Sequence, residues 1–157
     1  MKFQSLQESR TFKQINTAPP SEVFPLLCPV REKDWVNGWD YTMIYSKSGL
    51  IEQDCVFSTP HHGEDPTIWF VSHYDKEKYE IEFVRHSPGE EVVKITIFLT
   101  DNGNGTTTTS ITYQFTALNE NKITWIRERL DADFIANMKE WENAINHYLK
   151  TGEKFKK

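Results

Sequence analysis

Around Asn119 the hydrophobic rhythm of this chain changes, and the change dictates two layers. From Tyr41 to Leu118 apolar residues tend to recur at every second position. Tyr79, Ile81 and Phe83 alternate with Glu80 and Glu82, and Val93, Ile95, Ile97 and Leu99 alternate with Lys94 and Thr96. Ile111, Tyr113 and Phe115 do the same against Thr112 and Gln114. A period of two sends successive side chains to opposite faces of a strand. The span therefore predicts six antiparallel strands with one dry face and one wet face. Polar turns divide them: Ser46-Lys47-Ser48-Gly49, Asp75-Lys76-Glu77-Lys78, Ser87-Pro88-Gly89-Glu90 and, strongest, Asp101-Asn102-Gly103-Asn104-Gly105.

Beyond that point Ile123, Leu130, Phe134, Met138, Trp141, Ile145 and Tyr148 recur at helical spacing, with no Gly or Pro from Asn121 to Thr151. One helix of about 30 residues would be roughly 45 Å long. Asn119 or Asn121 can cap its start and Gly152 its end. A break near Asp131-Ala132-Asp133 is the alternative, since Asp also caps helices.

The segment before the alternating region completes the order. Phe3 to Thr17 lacks Gly and Pro and reads as a long first strand. Pro19-Pro20-Ser21-Glu22 opens a short helix that Pro25 limits, and Val30 to Val36 makes a second that Asn37-Gly38 ends. The expectation is an α+β chain, residues 1–157 forming one domain. A curved seven-stranded antiparallel sheet wraps around a long C-terminal helix, with two short helices after the first strand. One cylinder cannot fill the hollow of a curved sheet, so a gap between helix and sheet is expected, lined by aromatic side chains.

Composition narrows the partners. Acidic residues outnumber basic ones 23 to 18 in 157 residues, net charge −5, with no basic run before Lys154. A nucleic-acid binder would show a basic face, so none is expected. No apolar run approaches the roughly 18 residues of a membrane span, and the first residues lack a signal peptide's apolar core. Cys28 and Cys55 form no CxxC pair and lack neighbours that would activate them. They read as buried free thiols in a reducing, cytoplasmic setting. His61-His62-Gly63-Glu64, with His73 and Asp75 downstream, reads as a solvated turn rather than a metal centre, and no cofactor is called for.

Several stretches resemble the helix-grip superfamily that includes START domains and birch-pollen allergens, often called SRPBCC. They are Ile15-Asn16-Thr17-Ala18-Pro19-Pro20-Ser21-Glu22-Val23-Phe24, Trp35-Val36-Asn37-Gly38-Trp39, Gly49, Val56-Phe57-Ser58-Thr59, Trp141 to Leu149, and Thr151-Gly152. The resemblance spans essentially the whole chain and implies a cavity between sheet and helix. The superfamily shares no single catalytic motif, so it implies no catalytic residue here.

Strand phase and helical stripe nominate the cavity wall. From the sheet come Tyr79, Ile81, Phe83, Arg85, Ile95, Ile97, Ile111, Tyr113 and Phe115; from the helix come Phe134, Met138 and Trp141. Trp39 follows Gly38 at the loop where helix-grip pockets open, and Trp141 is expected to anchor the core. On a continuous helix Arg127 falls at the centre of the stripe, with Asn137 at its edge. It would then meet Asp131 or an acidic ligand. On a helix that begins near Asp131, Arg127 is solvated instead. The expected function is an intracellular binding or carrier protein for a small hydrophobic or amphipathic molecule, acting as a monomer or weak homodimer. A polyketide cyclase or aromatase-like enzyme working in the same cavity is the alternative, and an interaction module is a third.

Overall fold

The computed structural model describes residues 3–61 and 65–155. Strand β1 (Gln7–Asn16) leads into helix α1 (Pro20–Val23), a 3-10 turn (Phe24–Leu27) and helix α2 (Pro29–Trp35). Strands β2 (Thr42–Tyr45), β3 (Val56–Thr59), β4 (Thr67–Asp75), β5 (Glu80–Ser87), β6 (Glu91–Asp101) and β7 (Thr107–Ala117) follow. Helices α3 (Glu120–Glu128) and α4 (Leu130–Thr151) close the chain. Among the described residues the strands form one seven-stranded sheet in the order β1-β7-β6-β5-β4-β3-β2. Every neighbouring pair is antiparallel.

Proline sets both short helices. Pro20 and Pro29 sit in the first turns of α1 and α2, where a missing N–H costs nothing. Pro25 likewise opens the 3-10 turn between them, so the two helices meet at an elbow. Trp35 pins that elbow: it is fully buried, and its indole N–H donates to the Leu26 carbonyl at 2.8 Å.

The register follows the alternation. In β6, Val93, Ile95, Ile97 and Leu99 are buried, whereas Lys94 and Phe98 face solvent. Ile97 lies opposite both Ile81 and Ile111, and Ile95 lies opposite both Phe83 and Tyr113, so the inward phases of β5, β6 and β7 coincide. Phe134 and Met138 of α4 are buried with this face in one core cluster. The two cysteines are free and buried, and burial raises the Cys55 thiol.

Three readings of the sequence are settled. Of the two readings of the C-terminal segment, the broken one holds: Arg129, at φ −126° and ψ −16°, separates α3 from α4. Asp133 stabilises the break by accepting from the Trp125 indole N–H at 2.9 Å and from the Arg129 side chain at 3.3 and 3.4 Å. Those bonds, from Arg129 first and Trp125 next, hold the Asp133 carboxyl below its usual range. Second, because α3 buries Ile123 and Ile126 on its own phase, Arg127 is exposed rather than inward. Asp131 pairs with Arg10 of β1 at 2.6 Å, not with Arg127. Third, Tyr79 is not in β5. It sits in the turn before it at φ +57°, a left-handed conformation uncommon outside glycine. Its ring packs edge-on against Phe24.

Candidate functional site

The hollow between sheet and helices holds three adjoining voids, and Tyr113 borders all of them. The most apolar, about 130 Å³, is walled by Phe57, Trp69, Phe83, Ile95, Ile97 and Tyr113 from the sheet. Leu27, Glu32, Val36, Trp39 and Trp141 close its other side. A second void, about 310 Å³, runs under α3 and the start of α4, past Arg85, Phe115, Phe134 and Met138. The third, about 260 Å³, opens between α2 and α4 beside Trp35, Trp141 and Phe155.

Large rings in stacked and edge-on contact frame these gaps. Trp69 stacks on Phe57 at 5.3 Å and meets Phe83 edge-on at 5.8 Å. Tyr113 stands edge-on to Phe134 at 5.5 Å, and Trp39 edge-on to Trp69 at 6.4 Å. The Trp39 indole donates to the Pro29 carbonyl, which ties the loop after α2 to its start.

Two polar groups break the apolar lining of the smallest void. Tyr113 comes from β7 and Glu32 from α2, and neither side chain has a hydrogen-bond partner among the described residues. Burial pushes the Glu32 carboxyl well above its ordinary value. The Tyr113 hydroxyl is raised by burial first; the charge of Arg85 opposes this, and those of Glu32 and Glu91 add to it.

At the mouth under α3 the charges are matched. Arg85 Nη1 lies 3.3 Å from Glu91 Oε2, and Lys122 Nζ lies 3.1 Å from Glu91 Oε1 and 3.2 Å from Glu90 Oε1. His61 Nε2 closes the row 2.5 Å from Glu90 Oε2. Arg85 also lies over the Trp69 ring, and Lys122 over Trp125 at 4.3 Å. Burial alone would raise the Glu90 carboxyl, but its bonds to Lys122 and His61 outweigh this and hold it below its usual value. No group of three metal-ligating side chains occurs among the described residues. His62 to Glu64 of the histidine loop lie outside those residues.

Of the residues nominated from sequence, Trp39, Phe83, Arg85, Ile95, Ile97, Tyr113, Phe115, Phe134, Met138 and Trp141 border a void. Ile81 and Ile111 share the inward phase but are packed solid in the core, each 1% exposed, away from the voids. Arg127 and Tyr79 lie elsewhere, as described above. Sequence reasoning misses Glu91 although its signal is present: it stands two residues before Val93 and shares the inward phase of Ile95 and Ile97. Trp69 likewise shares the phase of the buried Val71. Glu32 precedes Trp35 by three and Val36 by four, hence one helical face, but a helix of one or two turns leaves too little pattern to read.

No protein-family model and no curated protein matches the sequence. Solved structures do resemble the fold. An uncharacterized protein from Rhizobium leguminosarum superposes with a TM-score of 0.69 at 10% identity, covering 94% of this chain and 97% of that one. Norcoclaurine synthase from Thalictrum flavum gives 0.67 at 10% identity, covering 94% and 88%. Ara h 8.0201 gives 0.65, again at 10% identity, covering 92% and 99%. With its seven-stranded antiparallel sheet and long C-terminal helix, the chain has the helix-grip fold seen in these structures.

Proposed function

We propose that the protein binds a small hydrophobic or amphipathic molecule in the hollow around Tyr113 and carries it without changing it. The observation behind this reading is the junction itself: three voids meet at one tyrosine whose hydroxyl no described residue engages. Buried polar groups are ordinarily hydrogen-bonded, so such a hydroxyl in an aromatic-lined hollow is what a ligand-binding wall presents. A void of about 130 Å³ suits a single-ring molecule, since an engineered cavity of about 150 Å³ holds benzene in another protein. The wider voids beside it leave room for substituents or a tail.

The test is a titration of the purified protein with small aromatic compounds, followed through tryptophan fluorescence because Trp39 and Trp69 face the void. Saturable one-to-one binding is expected, with a matching rise in melting temperature. Ile97→Trp, which fills the void, should abolish binding while far-ultraviolet circular dichroism stays native. Failure of every compound to saturate, or equal binding by Ile97→Trp, overturns the reading. A cyclase-like enzyme is the second reading, favoured by two titratable groups facing one cavity. Conversion of a bound compound, followed by mass spectrometry, would distinguish it from a carrier.

A further inference from the structure

The carrier reading leaves open what part of a ligand meets Glu32 and Tyr113, and the inference here rests on that reading. We propose that these two side chains form a paired donor site for a neutral carbonyl oxygen on an otherwise apolar, single-ring ligand. Three observations lead there. First, Glu32 from α2 and Tyr113 from β7 border the same small void, from opposite layers, and neither is satisfied by the protein. Second, the remaining wall is aromatic and aliphatic, so a ligand's ring finds only apolar partners there. Third, the charges at the neighbouring mouth cancel: Arg85 and Lys122 are matched by Glu91 and Glu90. A carboxylate ligand would find each cation already facing a protein carboxylate and only the Arg85 Nε–H without a partner, so its desolvation would be poorly compensated.

The protonation state fixes the direction of the hydrogen bonds. Burial raises the Glu32 carboxyl well above its ordinary value, which favours the neutral acid. A neutral carboxyl has one O–H to donate, as the Tyr113 phenol does. Two donors facing one void ask for one acceptor with two lone pairs, and a carbonyl oxygen is the simplest such group. An amine is the competing partner, because it could draw the proton from Glu32 and leave a buried ion pair. That route takes two charges into an apolar hollow, a cost that geometry must first repay.

The experiment compares four probes of one ring and similar size: acetophenone, ethylbenzene, benzoate and benzylamine. Each is titrated into wild type, Tyr113→Phe, Glu32→Leu and Glu32→Gln, with melting temperature confirming that each variant folds. Acetophenone is expected to bind about tenfold more tightly than ethylbenzene, the scale of one or two net hydrogen bonds. Tyr113→Phe and Glu32→Leu should each lower acetophenone affinity several-fold, on the order of one hydrogen bond, and leave ethylbenzene unchanged. Glu32→Gln, which keeps a donor, should retain most of it. Infrared spectra supply an independent reading: the carbonyl stretch of bound acetophenone should fall below its value in hexane and recover part of the way in Tyr113→Phe. Equal affinity for acetophenone and ethylbenzene, tighter binding of benzoate or benzylamine, or an unshifted carbonyl stretch overturns the donor site and leaves the carrier reading standing. Binding of none of the four removes the carrier reading and this proposal together.

Discussion

Glu52 organises a whole turn with one carboxylate. Its oxygens accept from the Ser48 N–H at 2.8 Å, the Lys47 N–H at 3.0 Å and the Ser46 hydroxyl at 3.2 Å. Bonds from Ser48, side chain and backbone, then from Lys47, favour the charged form and pull the carboxyl down to about 2. Its contribution is complete above the ordinary carboxylate range and is lost as pH falls toward that value. A carboxyl-detected NMR titration should place the Glu52 midpoint near 2, and Ser48→Ala should move it up; an ordinary midpoint in wild type would contradict the hydrogen bonding. Glu32 runs the opposite way. Its neighbours on α2 are Arg31 and Lys33, Tyr113 faces it from β7, and Glu140 of α4 borders the adjoining void. Burial still raises its carboxyl, so as pH climbs the unfolded chain releases its proton first and stability falls. Glu32→Gln, permanently neutral, should therefore be more stable than wild type at pH 7 and no more stable near pH 4. Each tenfold difference in proton affinity between folded and unfolded chain is worth about 1.4 kcal/mol of that gain. Urea denaturation at the two pH values measures it, and a gain independent of pH would mean that ionisation is not its source.

At the scale of elements, strands are more legible than helices. Six strands and the inward phase of β5 and β6 follow from alternation, because a slip of one residue would bury Glu82 and Lys94 and expose Ile81 and Ile95; β1 is read instead from a stretch without Gly or Pro. The break between α3 and α4 is legible only as an alternative, through the capping potential of Asp131 and Asp133. No Gly or Pro marks Arg129, and the stop depends on Asp133 reaching back to Trp125 and Arg129, a tertiary arrangement that periodicity does not encode. Arg127 is misplaced for that reason: extending one helical phase across the break carries it to the wrong face. Caps are readable, since Asn119 accepts from the Lys122 N–H at 2.8 Å and Gly152 ends α4 at φ +74°. Asn119→Ala should cost about 1 kcal/mol in thermal unfolding; no change would mean that the cap is redundant. The tryptophans divide by burial. Trp35 is fully buried and bonded to Leu26, so Trp35→Ala should cost about 3–5 kcal/mol. Trp141 packs edge-on to it at 5.2 Å but borders the voids, so Trp141→Ala should cost about 2 kcal/mol, below a full core deletion. Equal losses on chemical denaturation would place Trp141 in the core after all.

The whole molecule depends on how the open edge of the sheet is closed. β1 is a terminal strand of the sheet, and an unpaired strand edge is ordinarily a row of unsatisfied backbone groups. Here α4 meets the end of that edge, from Ile15 to Thr17, with side chains instead of another strand. The Asn146 amide donates to the Ile15 carbonyl at 2.9 Å, and its oxygen accepts from the Thr17 N–H and the Asn16 side chain, each at 3.1 Å. Glu142, one turn earlier, accepts from the Ile15 N–H at 2.8 Å. The Asn16 oxygen accepts from the Thr109 hydroxyl at 2.8 Å, so the contact continues into β7. β7 also carries Tyr113, and α4 carries Met138 and Trp141, so the same clamp fixes the two walls of the hollow relative to each other. Asn146→Ala removes three hydrogen bonds and leaves backbone groups at Ile15 and Thr17 unpaired. Each loss is worth about 1 kcal/mol where water cannot replace the partner and less at an exposed edge, so a total of about 1–2 kcal/mol is expected. Hydrogen exchange should quicken first at Thr17, ahead of the core amides of β6. If cavity and clamp are mechanically linked, Asn146→Ala should also weaken acetophenone binding, although Asn146 lies outside all three voids. Unchanged affinity alongside faster exchange at Thr17 would show that the edge can loosen without moving the walls.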